Sequence, residues 1–452
     1  MQKLATVTWL QGDGDASLRY AEPALKLCEQ LGDKRKLLDV HLHFTGLYIS
    51  GYWDGAKEDK AVEHLEAAAA LAEEDPDSVQ KGLVYQRTGH LYLHRGQPAT
   101  TLVWTRRAVD LYTKLNVPMG TALGTALTYT GRIDEGIAYN ERAWDSVLKT
   151  GNPLIISIFG HELSLTLALV RDLPRAREWG ERILLEAQGK GLLEQSLRRP
   201  LALIYALSGD TPKADEACEA VERIESRTLM GCNFEEGAGV GFHYLRQGQW
   251  EKAGEYLERT ILAHQDRNNL AAVAGCFFTL GILKLEQADH ARAEELLLRS
   301  LEVCRNGGNV LFELWVLPVL VELHLKMRQP AKAEEYVKRG VELMKPDQNW
   351  YGLPASLHTA QGMLAVAQKQ WDEAAKCFEQ AVILNRRYQL PWDEAKTLYE
   401  WALMHLARDK AGDREQAQGK IGEALEIFRR VGARKDVEKV LAATATVGGR
   451  RP

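Results

Sequence analysis

The sequence predicts an all-α protein, a right-handed superhelix (an α-solenoid) of about eleven helix pairs closed by a C-terminal capping helix. Two observations predict it: a motif that recurs about every forty residues, and apolar residues spaced three and four apart on both sides of a short polar turn in each copy. Composition supports a folded chain. The 452 residues are 45% apolar and 26% charged, with Gly 38 and Pro 14, which excludes a disordered or collagen-like polymer. A length that suggests several globular domains also suits one repeat array.

The recurrence is read directly from the chain. Gly241, Tyr244, Gly248, Trp250, Ala253 and Leu257 align with Gly281, Ala288, Ala293 and Leu297, and again with Gly362, Lys369, Trp371, Ala374, Phe378 and Ala381. A small residue opens the second half of each unit, at positions such as Ala61, Thr101, Gly136, Ala176, Ala214, Ala253, Ala293, Ala333, Ala374 and Ala417. Small side chains there let two helices approach to ~8–10 Å. The intervening turn carries Gly96-Gln97-Pro98, Gly131-Arg132, Gly209-Asp210-Thr211-Pro212 or Gly248-Gln249. Gly relaxes a helix end, and Pro is tolerated in the first turn of the next helix. The expected layout is a repeat domain over 1–432, a capping helix over 433–445 and a disordered tail over 446–452.

The net charge of −5 sits on a nearly balanced surface, so no general field favours nucleic acid or an anionic membrane. Scattered basic pairs such as Arg198-Arg199 and Arg386-Arg387 do not form a stripe. No apolar run approaches the ~20 residues of a membrane span, and the N-terminus lacks a secretory pattern, so a cytoplasmic location is expected. Six dispersed cysteines show no CxxC spacing and read as reduced thiols. No HExxH, GxSxG or phosphate-cradling loop is present, and His90 with His94 falls short of a catalytic zinc set. No catalysis, cofactor or metal is expected.

Gly89 with Tyr92, Gly96 and Ala108, together with Gly241, Tyr244, Gly248 and Ala253, resembles the tetratricopeptide repeat. The period near forty exceeds that family's thirty-four. The long form is similar to the sensor arm of MalT-like activators, signalling ATPases and nucleotide cyclases, although the upstream P-loop of those proteins is missing from this sequence. The resemblance implies a concave inner wall made by the first helix of each pair. It places Gln86, Arg87, His90, His94, Tyr129, His161, Glu162, Arg199, Phe242, Arg246, Phe278, Trp315, Glu322, Lys326 and Tyr399 on that wall.

Nine of the twelve histidines fall on first helices, so a histidine-rich wall is expected. The roughly 100 Å path of eleven stacked pairs reads as an open groove. The implied function is a non-enzymatic module that binds a protein or peptide partner or a small effector, as the sensing arm of a bacterial signalling or transcription regulator. The alternatives are a stand-alone scaffold and an accessory subunit of an enzyme.

Overall fold

The computed structural model describes residues 1–10, 13–49, 55, 57–74, 77–117, 122–149, 153–187, 192–225 and 235–448. Among them are 23 helices and no strand. The first pairs are α1 (Gln2–Leu10) with α2 (Gly14–Leu31), α3 (Lys34–Ile49) with α4 (Glu58–Glu73), and α5 (Val79–His94) with α6 (Pro98–Lys114). Next come α7 (Leu123–Tyr129) with α8 (Ile133–Lys149), α9 (Pro153–Leu169) with α10 (Leu173–Ala187), and α11 (Leu192–Ser208) with α12 (Thr211–Glu225). These are followed by α13 (Glu235–Arg246) with α14 (Trp250–Gln265), α15 (Leu270–Glu286) with α16 (His290–Gly307), and α17 (Val310–Lys326) with α18 (Pro330–Leu343). The last are α19 (Leu353–Ala367) with α20 (Trp371–Arg387), α21 (Pro391–Arg408) with α22 (Asp413–Arg430), and the unpaired α23 (Arg434–Gly448). The last helix runs to Gly448, three residues past the expected end of the capping helix, and the Thr444 hydroxyl donates to Val440 O at 3.2 Å. Residues 449–452 of the expected tail lie outside the described residues.

The repeating motif has a steric cause. A Cβ on Gly241 would sit 2.6 Å from Leu257 Cδ2, one on Gly281 2.8 Å from Leu297 Cγ, and one on Gly362 2.6 Å from Phe378 Cε1. The signature glycine is thus the hole into which a large residue of the paired second helix fits. Ala253, Ala293, Ala333 and Ala374 are wholly buried where the two helices come nearest. First helices such as α15 and α17 are apolar almost all round because they lie between both neighbours and the interior.

The array does not stay open. α5 touches α15, α6 touches α16, α7 touches α17 and α11 touches α21, so the chain meets itself again ten helices, or five pairs, further on. The contact is made at the turn inside each pair. Gly96, Gly131, Gly209 and Gly248 all have positive φ, and Arg171 holds the same place with φ 63°. A Cβ on Gly209 would stand 2.5 Å from Val431 Cγ1, and one on Gly248 2.8 Å from Lys435 Cγ. Where the turn residue is Arg171, the glycine is on the other side: a Cβ on Gly352 would lie 2.7 Å from Arg171 O. The Gly352 amide donates to Val170 O at 3.2 Å, and the Thr211 hydroxyl and Gln247 amide both donate to Val431 O.

In the last four pairs the same turn place is held by Ala288, Arg328, Lys369 and Asp409, also at positive φ but exposed. With the exception of Arg171, where the facing Gly352 supplies the space, glycine stands where a second turn of the superhelix presses on the turn and other residues stand where none does. Two substitutions follow. Gly209→Ala should cost about 2–3 kcal/mol, since it adds left-handed strain and a clash with Val431. Lys369→Gly, at an exposed left-handed position, should be neutral or gain up to ~1 kcal/mol. Urea denaturation followed by circular dichroism measures both; equal effects would refute the asymmetry.

Candidate binding cavity

Winding the first helices inward leaves a partly open cavity of about 670 Å³. Its walls come from α13, α15, α17, α19 and α21, and α23 lies across one side through Lys435, Asp436, Glu438, Lys439 and Ala442. An aromatic run forms one part of the wall: Phe242 stacks on Phe278 at 6.3 Å, and Phe278 meets Trp315 edge-on at 6.0 Å. The Trp315 indole N–H donates to Leu169 O at 2.9 Å, which fixes the ring against the preceding superhelical turn.

Guanidinium groups cover these rings. Arg171 Cζ lies 4.6 Å from the Trp315 ring, and Arg246 Cζ lies between the Phe242 ring (4.5 Å) and the Trp392 ring (4.6 Å). Asp393 bridges the two arginines at 3.1 and 3.2 Å, and Arg171 also donates to the Ser356 hydroxyl at 2.7 Å. Burial raises the Asp393 carboxyl, but Arg171 and Arg246 outweigh it and hold it below the usual carboxylate range. Three pairs far apart in sequence are thereby joined through one carboxylate.

A second shared acid stands next to the first. Glu322 accepts from Lys396 at 2.5 Å and from Lys326 at 2.8 Å. Burial acts against its charge, yet the two ammonium groups keep the carboxyl well below its ordinary value. Lys439 reaches Glu286 at 3.1 Å, and Lys435 reaches Glu438 at 2.8 Å. Ile282, Val319, Ala360 and Met363 supply the apolar remainder.

Of the fifteen residues expected on an inner wall, the structure brings six into this cavity: Phe242, Arg246, Phe278, Trp315, Glu322 and Lys326. The others lie elsewhere. Arg87 packs against Gly46, whose Cβ would lie 2.9 Å from Arg87 Nη2, and Gln86 accepts from the Tyr112 hydroxyl at 3.2 Å. His90 and His94 sit on the same helix, pushed by burial to about 3 and about 4, so both are neutral at physiological pH. Tyr129 packs edge-on to Phe312 at 5.0 Å, across the contact between superhelical turns. Arg199 and Glu162 are buried, His161 is half-buried, and Tyr399 belongs to the C-terminal apolar cluster.

Three of the nine histidines expected on the wall contact a second helix. His243 contacts Asp215 of α12 at 2.6 Å, His324 stacks on Tyr336 of α18 at 5.4 Å, and His405 contacts Asp413 of α22 at 3.0 Å. These rings join one helix to a second helix instead of facing inward. The expected groove is narrowed by the next turn of the superhelix, which leaves a cavity partly open to solvent. Arg171, Trp392, Asp393, Lys396 and Asp436 were missed, because their role depends on contacts between segments 44 to 222 residues apart, beyond the reach of one repeat.

An α-helical solenoid wound around a partly open, mixed apolar and ionic cavity defines the class of this protein. The tetratricopeptide repeat family model matches residues 236–306. The match covers one stretch of the chain, α13 to α16, and the helical-repeat fold extends the same pairing over the rest. A Rap protein complexed with competence and sporulation factor is similar, with a TM-score of 0.52 and 12% identity over 88% of this chain and 99% of that one. NprR in complex with its cognate peptide NprX gives a TM-score of 0.44 and 14% identity over 63% of this chain and 88% of that one. The sister chromatid cohesion protein SCC4 of Arabidopsis thaliana is 24% identical over 180 residues, which is 38% of this chain and 24% of that protein's length. The chain thus matches about a quarter of that curated relative.

Among the described residues no helix is long and apolar enough to cross a membrane, and no group of three potential metal ligands occurs. Cys28, Cys218, Cys276, Cys304 and Cys377 are buried free thiols.

Replacing Asp393 by alanine should cost about 3–5 kcal/mol, since it leaves two buried guanidinium groups without their counter-charge. The sign with pH follows from the lowered carboxyl. The advantage of wild type over Asp393→Asn is full above about pH 4, where the unfolded carboxyl is ionised, and is lost as pH falls through the lower folded-state value. Urea melts at neutral and acid pH measure it; a gap that widens in acid would contradict the assignment.

Proposed function

We propose that the chain is a non-enzymatic binding module which holds a short peptide or small effector inside the superhelix, and that it acts as the sensing arm of a signalling or transcription regulator. The observation that carries this is the cavity. Its volume of about 670 Å³ falls within the ~300–1,000 Å³ of small-ligand sites, and its wall combines a large apolar area with fixed ionic groups. A long helix or a folded domain does not fit such a space. A Rap protein of similar fold is found complexed with competence and sporulation factor, which supports a binding role for this fold.

Transmission rests on differential affinity. The cavity is completed only when α21 and α23 lie against the earlier turn, through Asp393 with Arg171 and Arg246, and Lys439 with Glu286. A ligand touching both sides favours that closed pitch over an opened one, and the difference in affinity sets how far the population shifts. Occupancy then changes the outer surface offered to an effector region.

The test is to fill the cavity. Ala360→Trp and Val319→Trp, made singly, should abolish retention of members of a random-pentapeptide mixture by native mass spectrometry while leaving the helical circular dichroism intact. Retention equal to wild type in both folded variants would refute the cavity as the site.

A further inference from the structure

Five acidic side chains line the cavity, and four have a cation within the protein. Asp393 has Arg171 and Arg246, Glu322 has Lys326 and Lys396, Glu286 has Lys439 and Glu438 has Lys435. The fifth, Asp436 on α23, forms no ion pair among the described residues. Its one side-chain hydrogen bond comes from the Trp392 indole N–H, which donates to Oδ2 at 3.0 Å. A carboxylate has about four acceptor positions, so most of the capacity of Asp436 is unused.

The surroundings sharpen the contrast. Burial is the main influence on the Asp436 carboxyl; the Trp392 N–H opposes it, Glu286 on α15 reinforces it, and Lys439 and Lys396 oppose it more weakly. The result is a carboxyl pushed up to about 6. It is therefore ionised at neutral pH in a place that penalises the charge. Arg246 on α13 feels its field, but its two Nη atoms are turned to Ala206 O and Asp393 and only its Nε is left without a partner among the described residues; His290 on α16 lines the same cavity. Six cations against five acids line the whole space, so the preference is local and not one of net charge.

We propose that Asp436, held by Trp392, is the subsite for a protonated amine carried on an apolar body, with that body lying along Ile282, Val319, Met363 and Ala442. The proposal rests on the cavity being the binding site. An alkylammonium group supplies the cation that the protein itself does not, and it exchanges a penalised charge for a charge-assisted hydrogen bond. The chemistry is common to a peptide N-terminus and a free small amine. Since Asp436 sits on α23 and Trp392 on α21, the amine also pins the last helix to the body of the superhelix.

Three probes of one length decide it: hexylamine, hexanol and hexanoate, titrated calorimetrically into the full chain. Hexylamine should bind roughly ten-fold or more tighter than hexanol, the effect of about one charged hydrogen bond, and hexanoate should bind more weakly than either. The hexylamine advantage should hold at about pH 8 and fade at about pH 5, because Asp436 protonates while the amine stays charged. Asp436→Asn keeps an acceptor for Trp392; it should remove both the advantage and its pH dependence while leaving hexanol binding unchanged, and Asp436→Glu should restore part of it.

A tetrapeptide with a free N-terminus, compared with its acetylated form, distinguishes the peptide source from the free amine. Binding of hexanol with no amine advantage, or an advantage that survives in Asp436→Asn, overturns the subsite and leaves the cavity reading intact. Binding of none of the three probes overturns both. Without any ligand, Asp436→Asn should raise the melting temperature at about pH 8 and not at about pH 4, since the raised carboxyl costs stability only once it ionises. No change at the higher pH would show that the charge is already satisfied inside the protein, and would overturn the subsite.

Discussion

The contact between one turn of the superhelix and the turn five pairs later governs everything else in this structure. In a simple solenoid each repeat touches only its neighbours, and stability is close to a sum of local terms. Here the turn inside a pair presses on helix ends about two hundred residues further along, as Gly209 does on Val431 after α22 and on Pro391 at the start of α21. Those contacts fix the pitch. Fixing the pitch narrows the interior, so the cavity is a property of the winding and of no single repeat. Loss of a contact between turns would loosen an array that nearest-neighbour packing still holds helical.

The charges at that junction argue for specificity more than for strength. Burying Arg171, Arg246 and Asp393 forfeits hydration of three groups, and mutual attraction recovers most of it only because one carboxylate lies between two guanidinium groups. Apolar side chains of similar volume would pack as well, but they would not tell one register of the two turns from another. An arginine that must find both a carboxylate and an aromatic face, as Arg246 does with Asp393, Phe242 and Trp392, accepts few alternatives.

The sequence and the structure agree in the elements that depend on local periodicity. The small residues at 253, 293, 333 and 374, and the glycines at 241, 281 and 362, mark helix pairs because the pairing is decided within about forty residues. The inner wall was half legible. α15 and α17 are apolar on nearly every side, so three- and four-residue spacing does not say which side faces the interior and which the partner helix. That is why His243, His324 and His405, expected on the wall, prove to join neighbouring helices.

The meeting of turns was written in the sequence, though in an unfamiliar form. Glycine holds the turn place at 96, 131, 209 and 248 and is absent from it at 288, 328, 369 and 409. Together these positions mark how far the second turn reaches.

The last helix follows from the same logic. Among the described residues α23 meets the body partly through charged side chains, Asp436 with the Trp392 indole and Lys439 with Glu286. Ion pairs and a lone indole hydrogen bond hold a helix in register without the close interdigitation that fixes the core helices, and their net contribution is modest at half-exposed positions. α23 is therefore the part of the cavity wall whose displacement costs least. A ligand that adds even one charged contact to it shifts its position more than the same contact would shift α15 or α17.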